Sequence, residues 1–164
     1  MRVPAETIYN ALFNLICTIS APQADGQPSL TPLKYMSRRW QSWTQIGDIP
    51  MPAFFQLQSG SNAVRMDQVG KFGLSRYRLH ADLYFYFAVD SGNLIEPTAP
   101  TLNAYFAAID KVMQPTIQSP GGARQQLGLG PGVENAWIEG DVTIDEGLDS
   151  PPAILMVPIT IVCG

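Results

Sequence analysis

From Arg76 to Val89, apolar and polar side chains alternate without interruption. Tyr77, Leu79, Ala81, Leu83, Phe85, Phe87 and Val89 share one parity, and Arg78, His80, Asp82, Tyr84 and Tyr86 the other. Period-two patterning turns one side of a strand to a core and the other to a polar or aromatic layer. A typical strand has about five or six residues, and this one spans about 14. The fold must therefore be organised around one long strand in a sheet. Ala153–Cys163 is the second strong strand: Ala153, Leu155, Val157, Ile159 and Ile161 form one face. Its other face (Ile154, Met156, Pro158, Thr160, Val162) is nearly as apolar. Burial on both faces implies the sheet centre. Pro158 has no N–H to give a ladder and implies an edge or bulge. The two signals conflict.

The remaining segments supply helices, further strands and loops. Ile8, Leu12, Leu15, Ile16 and Ile19 recur at helical spacing within 5–19, behind Pro4 and Glu6, which suit a helix start. Leu102, Tyr105, Phe106, Ile109, Val112 and Met113 form the stripe of a second helix, 100–113, capped by Thr98 or Thr101 and ended by Pro115. Residues 37–43 read as a short strand or a turn of helix. Residues 49–52 read as extended, because a residue before proline avoids the helical region. Residues 53–58 read as a strand, and 136–145 as another, alternating Ala136, Ile138, Gly140, Val142 and Ile144 with Trp137, Glu139, Asp141, Thr143 and Asp145. Residues 20–35, the hairpin-like excursion 59–73 and the Gly/Pro-rich 119–132 read as loops. The order predicts an α+β fold: a mixed, mainly antiparallel sheet, two main helices packed on one face, and long loops.

At 164 residues, one domain spanning 1–164 is expected. Charged residues are 15% of the chain, against about 25% in ordinary soluble domains. Burial of uncharged surface between subunits is one cause; loops built from 14 Pro and 14 Gly are another. A net charge of −4 argues against general nucleic-acid binding, whose affinity comes largely from Lys and Arg. It does not argue against a protein that DNA slides past. No signal peptide and no span of about 20 apolar residues is read.

No catalytic, metal or cofactor site emerges. His80, the only histidine, falls on the outward face of the long strand and reads as a surface or interface residue rather than a base or zinc ligand. Cys17 and Cys163 read as buried or idle thiols rather than as a disulfide tying the termini together, without a CxxC pattern. Glu139 and Asp141, with Asp145, Glu146 and Asp149, have the alternation of a carboxylate pair on one strand face, as glycosidase or metal sites require. Without a surrounding motif they read as solubilising charge. The glycines after Gly121 lack a phosphate-loop pattern. Arg38, Arg39, Trp40 and Trp43 form a basic-aromatic cluster. Nucleic-acid stacking is one reading; on an acidic chain, protein contact is preferred, since Trp and Arg anchor interfaces, and a core role for one Trp stands equally beside it.

The amphipathic first helix is followed by Arg38-Arg39-Trp40 leading to Pro50-Met51-Pro52-Ala53-Phe54-Phe55. The strand Tyr77–Val89 ending in Val89-Asp90 comes next, then the helix from Leu102-Asn103 to Met113, and Leu127-Gly128-Leu129. Ala136-Trp137-Ile138-Glu139-Gly140 and Pro158-Ile159-Thr160-Ile161-Val162 close the chain's strands. Over most of the chain this layout resembles the tail terminator (tail completion) proteins of long-tailed bacteriophages, which tend to a "PAL"-like strand start where Pro52-Ala53-Phe54 stands here and whose last strands the two closing segments resemble. The resemblance implies a virion protein of the tail or neck, assembled in the host cytoplasm. That protein would form a hexameric ring on the tail tube, stop tube growth and offer a surface to the head connector. Its partners would be other copies of itself, the tail tube protein and the head completion protein, with DNA passing through unbound and no membrane. Arg38, Arg39, Trp40, Trp43, Arg65, Lys71 and Arg124 are candidates for the subunit or tube interface. Glu139, Asp141 and Asp145 are candidates for an acidic lumen, and the loops 59–73 and 119–132 for contact arms. Another neck component, such as a head-completion or stopper protein, is the alternative. A small metal-dependent enzyme and a monomeric ligand-binding domain are the rivals from other classes.

Overall fold

The computed structural model describes residues 3–20, 30–59, 63–67, 74–89, 98–119, 122–147 and 152–164. Its strands are β1 (Tyr35–Ser37), β2 (Ala53–Gln58), β3 (Ala63–Asp67), β4 (Leu74–Phe87), β5 (Ile117–Ser119), β6 (Gly122–Arg124), β7 (Val133–Ile138), β8 (Thr143–Asp145) and β9 (Ala153–Cys163). Its α-helices are α1 (Ala5–Cys17) and α2 (Ala99–Met113), with short 3-10 turns at Thr18–Ser20, Trp43–Gln45 and Gly130–Gly132.

Seven strands form one sheet, and β5–β6 a separate two-stranded hairpin. The two longest strands lie at its centre: β4 and β9 pair antiparallel from Tyr77↔Cys163 to Phe87↔Ala153. Each is flanked on its outer side by two shorter strands in line. β2 and β3 pair with the two ends of β4, and β7 and β8 with two stretches of β9. Only β1, parallel to β2, departs from antiparallel order. The fold is therefore α+β with a mixed, mainly antiparallel sheet, as the patterning predicts.

One face of the sheet carries the odd-numbered residues of β4 and β9. Leu79, Leu83, Phe85, Leu155, Val157 and Ile161 are fully buried there beneath both helices. The helices contribute Ile8, Leu12 and Ile16, and Leu102, Tyr105 and Ile109. Each such side chain contributes about 1.5–3 kcal/mol of transfer free energy. Tyr side chains pin α1 to the sheet: Tyr9 Oη donates to the His80 carbonyl at 3.1 Å, and Tyr77 Oη to the Val3 carbonyl at 2.6 Å.

Pro158 explains the signals that conflict in the sequence. Glu139 N donates to the Pro158 carbonyl at 3.1 Å, so the Pro158 backbone faces β7 and β8, not β4. A residue's N and O point to the same side of a strand, so the missing N–H also falls there. The flanking strand leaves the ladder at that point: β7 ends at Ile138 and β8 resumes at Thr143. The single strand expected over 136–145 is thus two strands with a break. Gly140 fits the break with φ +113°, and a Cβ there would lie 3.2 Å from the Pro158 ring.

Other expectations are corrected by context. Ala63–Asp67, expected within a loop, is a strand, because β4 runs on past the end of β2 and needs a partner. Gly122–Arg124 pairs with Ile117–Ser119 despite its glycine, and β7 starts at Val133 rather than 136. Residues 49–52 do not run straight: the chain bends at 51–52, with a cis Met51–Pro52 peptide. Thr98 is the N-cap of α2 but makes no side-chain cap bond. Its hydroxyl donates to the Glu146 carbonyl at 2.9 Å, and the Glu146 carboxylate accepts from Ala99 N at 3.2 Å. An acidic group from a distant strand end thus serves the positive end of the helix dipole. Phe106 and Val112, expected in the buried stripe, are half-buried at its border.

Two substitutions test this account by chemical denaturation. Gly140→Ala is expected to cost about 1–3 kcal/mol, since that backbone region is almost glycine-only; a loss under about 0.5 kcal/mol would remove the proposed cause of the break. Ile109→Ala is expected to cost about 2–5 kcal/mol, and Phe106→Ala less than Ile109→Ala.

Candidate functional site

The outer face of the sheet carries the even-numbered residues of β4 and β9. One half is covered by the connection from β1 to β2. Ile46, Ala53, Phe55 and Tyr86 form a small second core there, with Tyr35, Ile49, Met51, Tyr84 and Ile154 packed against it. Tyr86 Oη donates to the Gln41 carbonyl at 3.1 Å, and burial pushes this phenol up to about 12. Trp40, 37% exposed, leans on the Tyr84 ring at 5.6 Å.

The other half of this face is open among the described residues. Leu57, Met156, Pro158, Val162 and Trp137 are half-buried there, and none of them joins either core cluster. They lie in rows across the sheet. Arg78 pairs with Val162, His80 with Thr160 and Trp137 beyond it, and Asp82 with Pro158. His80 Nδ1 and Thr160 Oγ1 are 3.1 Å apart, and Thr160 is buried between its neighbours. An antiparallel sheet with one solvated face normally turns polar side chains outward. Here β9 turns Met156, Pro158 and Val162 outward instead.

The residues singled out in the sequence are dispersed. Arg38 turns inward to α1: it forms an ion pair with Glu6, donates to Asn10 Oδ1 at 2.6 Å, and lies 5.9 Å from the Tyr9 ring centre. The Arg38 hydrogen bond holds the Glu6 carboxyl below its usual range. Arg39 is exposed, one residue from Trp40. Trp43 opens a single 3-10 turn with a capping box between Ser42 and Gln45; its side chain lies outside the description. Arg65 lies in β3 opposite Arg76, with its side chain outside the description. Lys71 lies outside the described residues, as do 60–62, 68–73 and 120–121 of the segments expected as contact arms. Arg124 ends β6, half-buried.

Glu139, Asp141 and Asp145 are all exposed along the β7–β8 edge. The break at Pro158 interrupts the alternation that would set them on one strand face, so they do not form a carboxylate pair of that kind. Asp145 Oδ1 accepts from Gly147 N at 2.9 Å. Among the described residues no group of three His, Cys, Asp or Glu side chains is placed to hold a metal ion. Burial pushes the Cys17 thiol up to about 11, which suppresses the thiolate that nucleophilic chemistry requires. No helix among the described residues is long and apolar enough to cross a membrane.

The open half-face is the feature that residue-type motifs miss. Its one legible signal is the apolar character of β9 on both sides. In comparisons with known proteins, no family model and no curated protein matches this chain.

Two measurements check the local chemistry. Glu6 has a depressed folded-state pKa, so its contribution to stability is present above its ordinary value of 4.5 and lost as pH falls through the lowered one. In Arg38→Met the Glu6 titration, followed by NMR, is expected to move up toward 4.5; an unmoved midpoint would remove Arg38 as the cause. With its thiol pushed up from 9.0 to about 11, Cys17 is expected to alkylate at pH 8 about a hundredfold more slowly than an unhindered thiol. An ordinary rate would contradict its burial.

Proposed function

We propose that this chain is a structural subunit of a bacteriophage tail, a tail terminator whose hexameric ring caps the tail tube. The ring stops tube polymerisation and presents a docking surface to the head connector. The observation that carries an assembly role is the open apolar half of the outer sheet face, on a chain with only 15% charged residues. Side chains such as Met156, Val162 and Trp137 gain most when a partner removes them from water. The terminator assignment itself comes from the sequence resemblance, which spans most of the chain.

The charge distribution suits a ring around DNA. No Lys or Arg follows Arg124, while Glu134, Glu139, Asp141, Asp145, Glu146 and Asp149 all do. An acidic surface at the lumen repels phosphate and lets DNA slide without the counterion release that drives binding. A closed ring of head-to-tail contacts needs two different complementary patches per subunit. Arg39 and Trp40, exposed beside the covered half-face, are the described candidates for one of them. A head-completion or stopper protein draws on the same support and differs in the partner it caps.

The deciding experiment is mass measurement of the chain alone and after mixing with purified tail tubes, with the tube ends imaged. Rings at one tube end only are expected. A chain that remains monomeric and ignores tubes would overturn the terminator reading.

A further inference from the structure

We infer that the open half of the outer sheet face is a two-fold interface with a second copy of this chain. The inference rests on reading that face as an assembly surface. It does not depend on the tail, the tube or the ring.

The argument starts from the rows across the face. Arg78 and Val162 share one row, His80, Thr160 and Trp137 the next on this face, and Asp82 and Pro158 the one after. Arg78 is exposed and Asp82 half-buried, and among the described residues neither has an ion-pair partner. They stand on the same strand with opposite charge, four residues or about 13 Å apart, on either side of the His80 row. The face is thus complementary to itself.

Two sheets pack face to face about 10 Å apart with strands nearly aligned. Let a two-fold axis lie between the faces and cross the strands at the His80–Thr160–Trp137 row. The operation exchanges the rows on either side. Arg78 then faces Asp82 of the partner subunit, and Asp82 faces Arg78 of the partner subunit. Val162 faces Pro158 of the partner subunit in the same rows, and Trp137 lies near the axis. In the two rows beside the axis, Arg78 and Asp82 thus meet opposite charges and Val162 meets Pro158, as an isologous contact requires. A different partner would have to supply this pattern by coincidence, whereas a second copy carries it already.

Sedimentation equilibrium of the full chain over a micromolar to millimolar range tests the inference. The wild-type chain is expected to dimerise, with a dissociation constant that rises with salt. Arg78→Asp or Asp82→Arg alone turns two symmetric attractions into repulsions and is expected to weaken the dimer about tenfold or more. The double exchange R78D/D82R is expected to restore association to within about threefold of wild type. Circular dichroism establishes that each variant is folded; if Asp82→Arg is not, Arg78→Asp mixed with wild type and the salt dependence carry the test. In that mixture the heterodimer is expected to be weaker than the wild-type dimer. A wild-type monomer throughout, association insensitive to both salt and single reversals, or a double exchange no better than the singles would overturn the two-fold interface. A wild-type chain that stays monomeric alone but forms rings on tail tubes would overturn it while leaving the ring reading intact.

Discussion

β4 and β9 pair along almost their whole length, and the rest of the structure is fastened to that pairing. The odd-numbered residues of both strands make the floor on which α1 and α2 lie, and the even-numbered residues make the outer face. The outer flank of each strand is filled by two shorter strands. A one-residue slip of β4 would exchange its two faces, sending Leu83 outward and Asp82 inward. The burial of the core side therefore fixes the register, and the register fixes which side chains share each row outside.

The two halves of the outer face differ because the described residues cover only one of them. The connection between β1 and β2, with its single 3-10 turn, folds over Phe55, Tyr86 and Ile154 and closes a small core without an α-helix. Beyond it, β9 presents apolar side chains that the described residues leave without a layer. On the proposed reading, recognition by such a face rests on shape and apolar area rather than on a cluster of reactive groups. Arg38 illustrates the difference. Its guanidinium is engaged by Glu6 and Asn10 within the molecule, so it holds the sheet edge to α1.

Local constraints also act at a distance. Pro158 sits in a central strand, yet its missing donor faces the flank where β7 gives way to β8, so no ladder bond is lost between β4 and β9. The same break turns Glu139 and Asp141 out along the sheet edge. Glu146, a few residues later, reaches the first turn of α2 and does what a capping Thr would otherwise do.

The sequence alone determined the elements whose signal is periodic and long: α1, α2, β4 and β9, and with them the α+β class. Period-two and helical spacing are local properties, and burial of one face reads directly from residue order. It also carried the clue to the open face, in the apolar residues on both sides of β9. Tertiary structure decided what depends on a neighbour. β3 exists because β4 outlasts β2, and the 136–145 strand divides because of a proline that pairs with it from a distant segment. Arg38 is held by α1, and Arg78 and Asp82 flank one row of a shared face. Those outcomes follow from which strands lie side by side and in what register, and no window of consecutive residues contains that information.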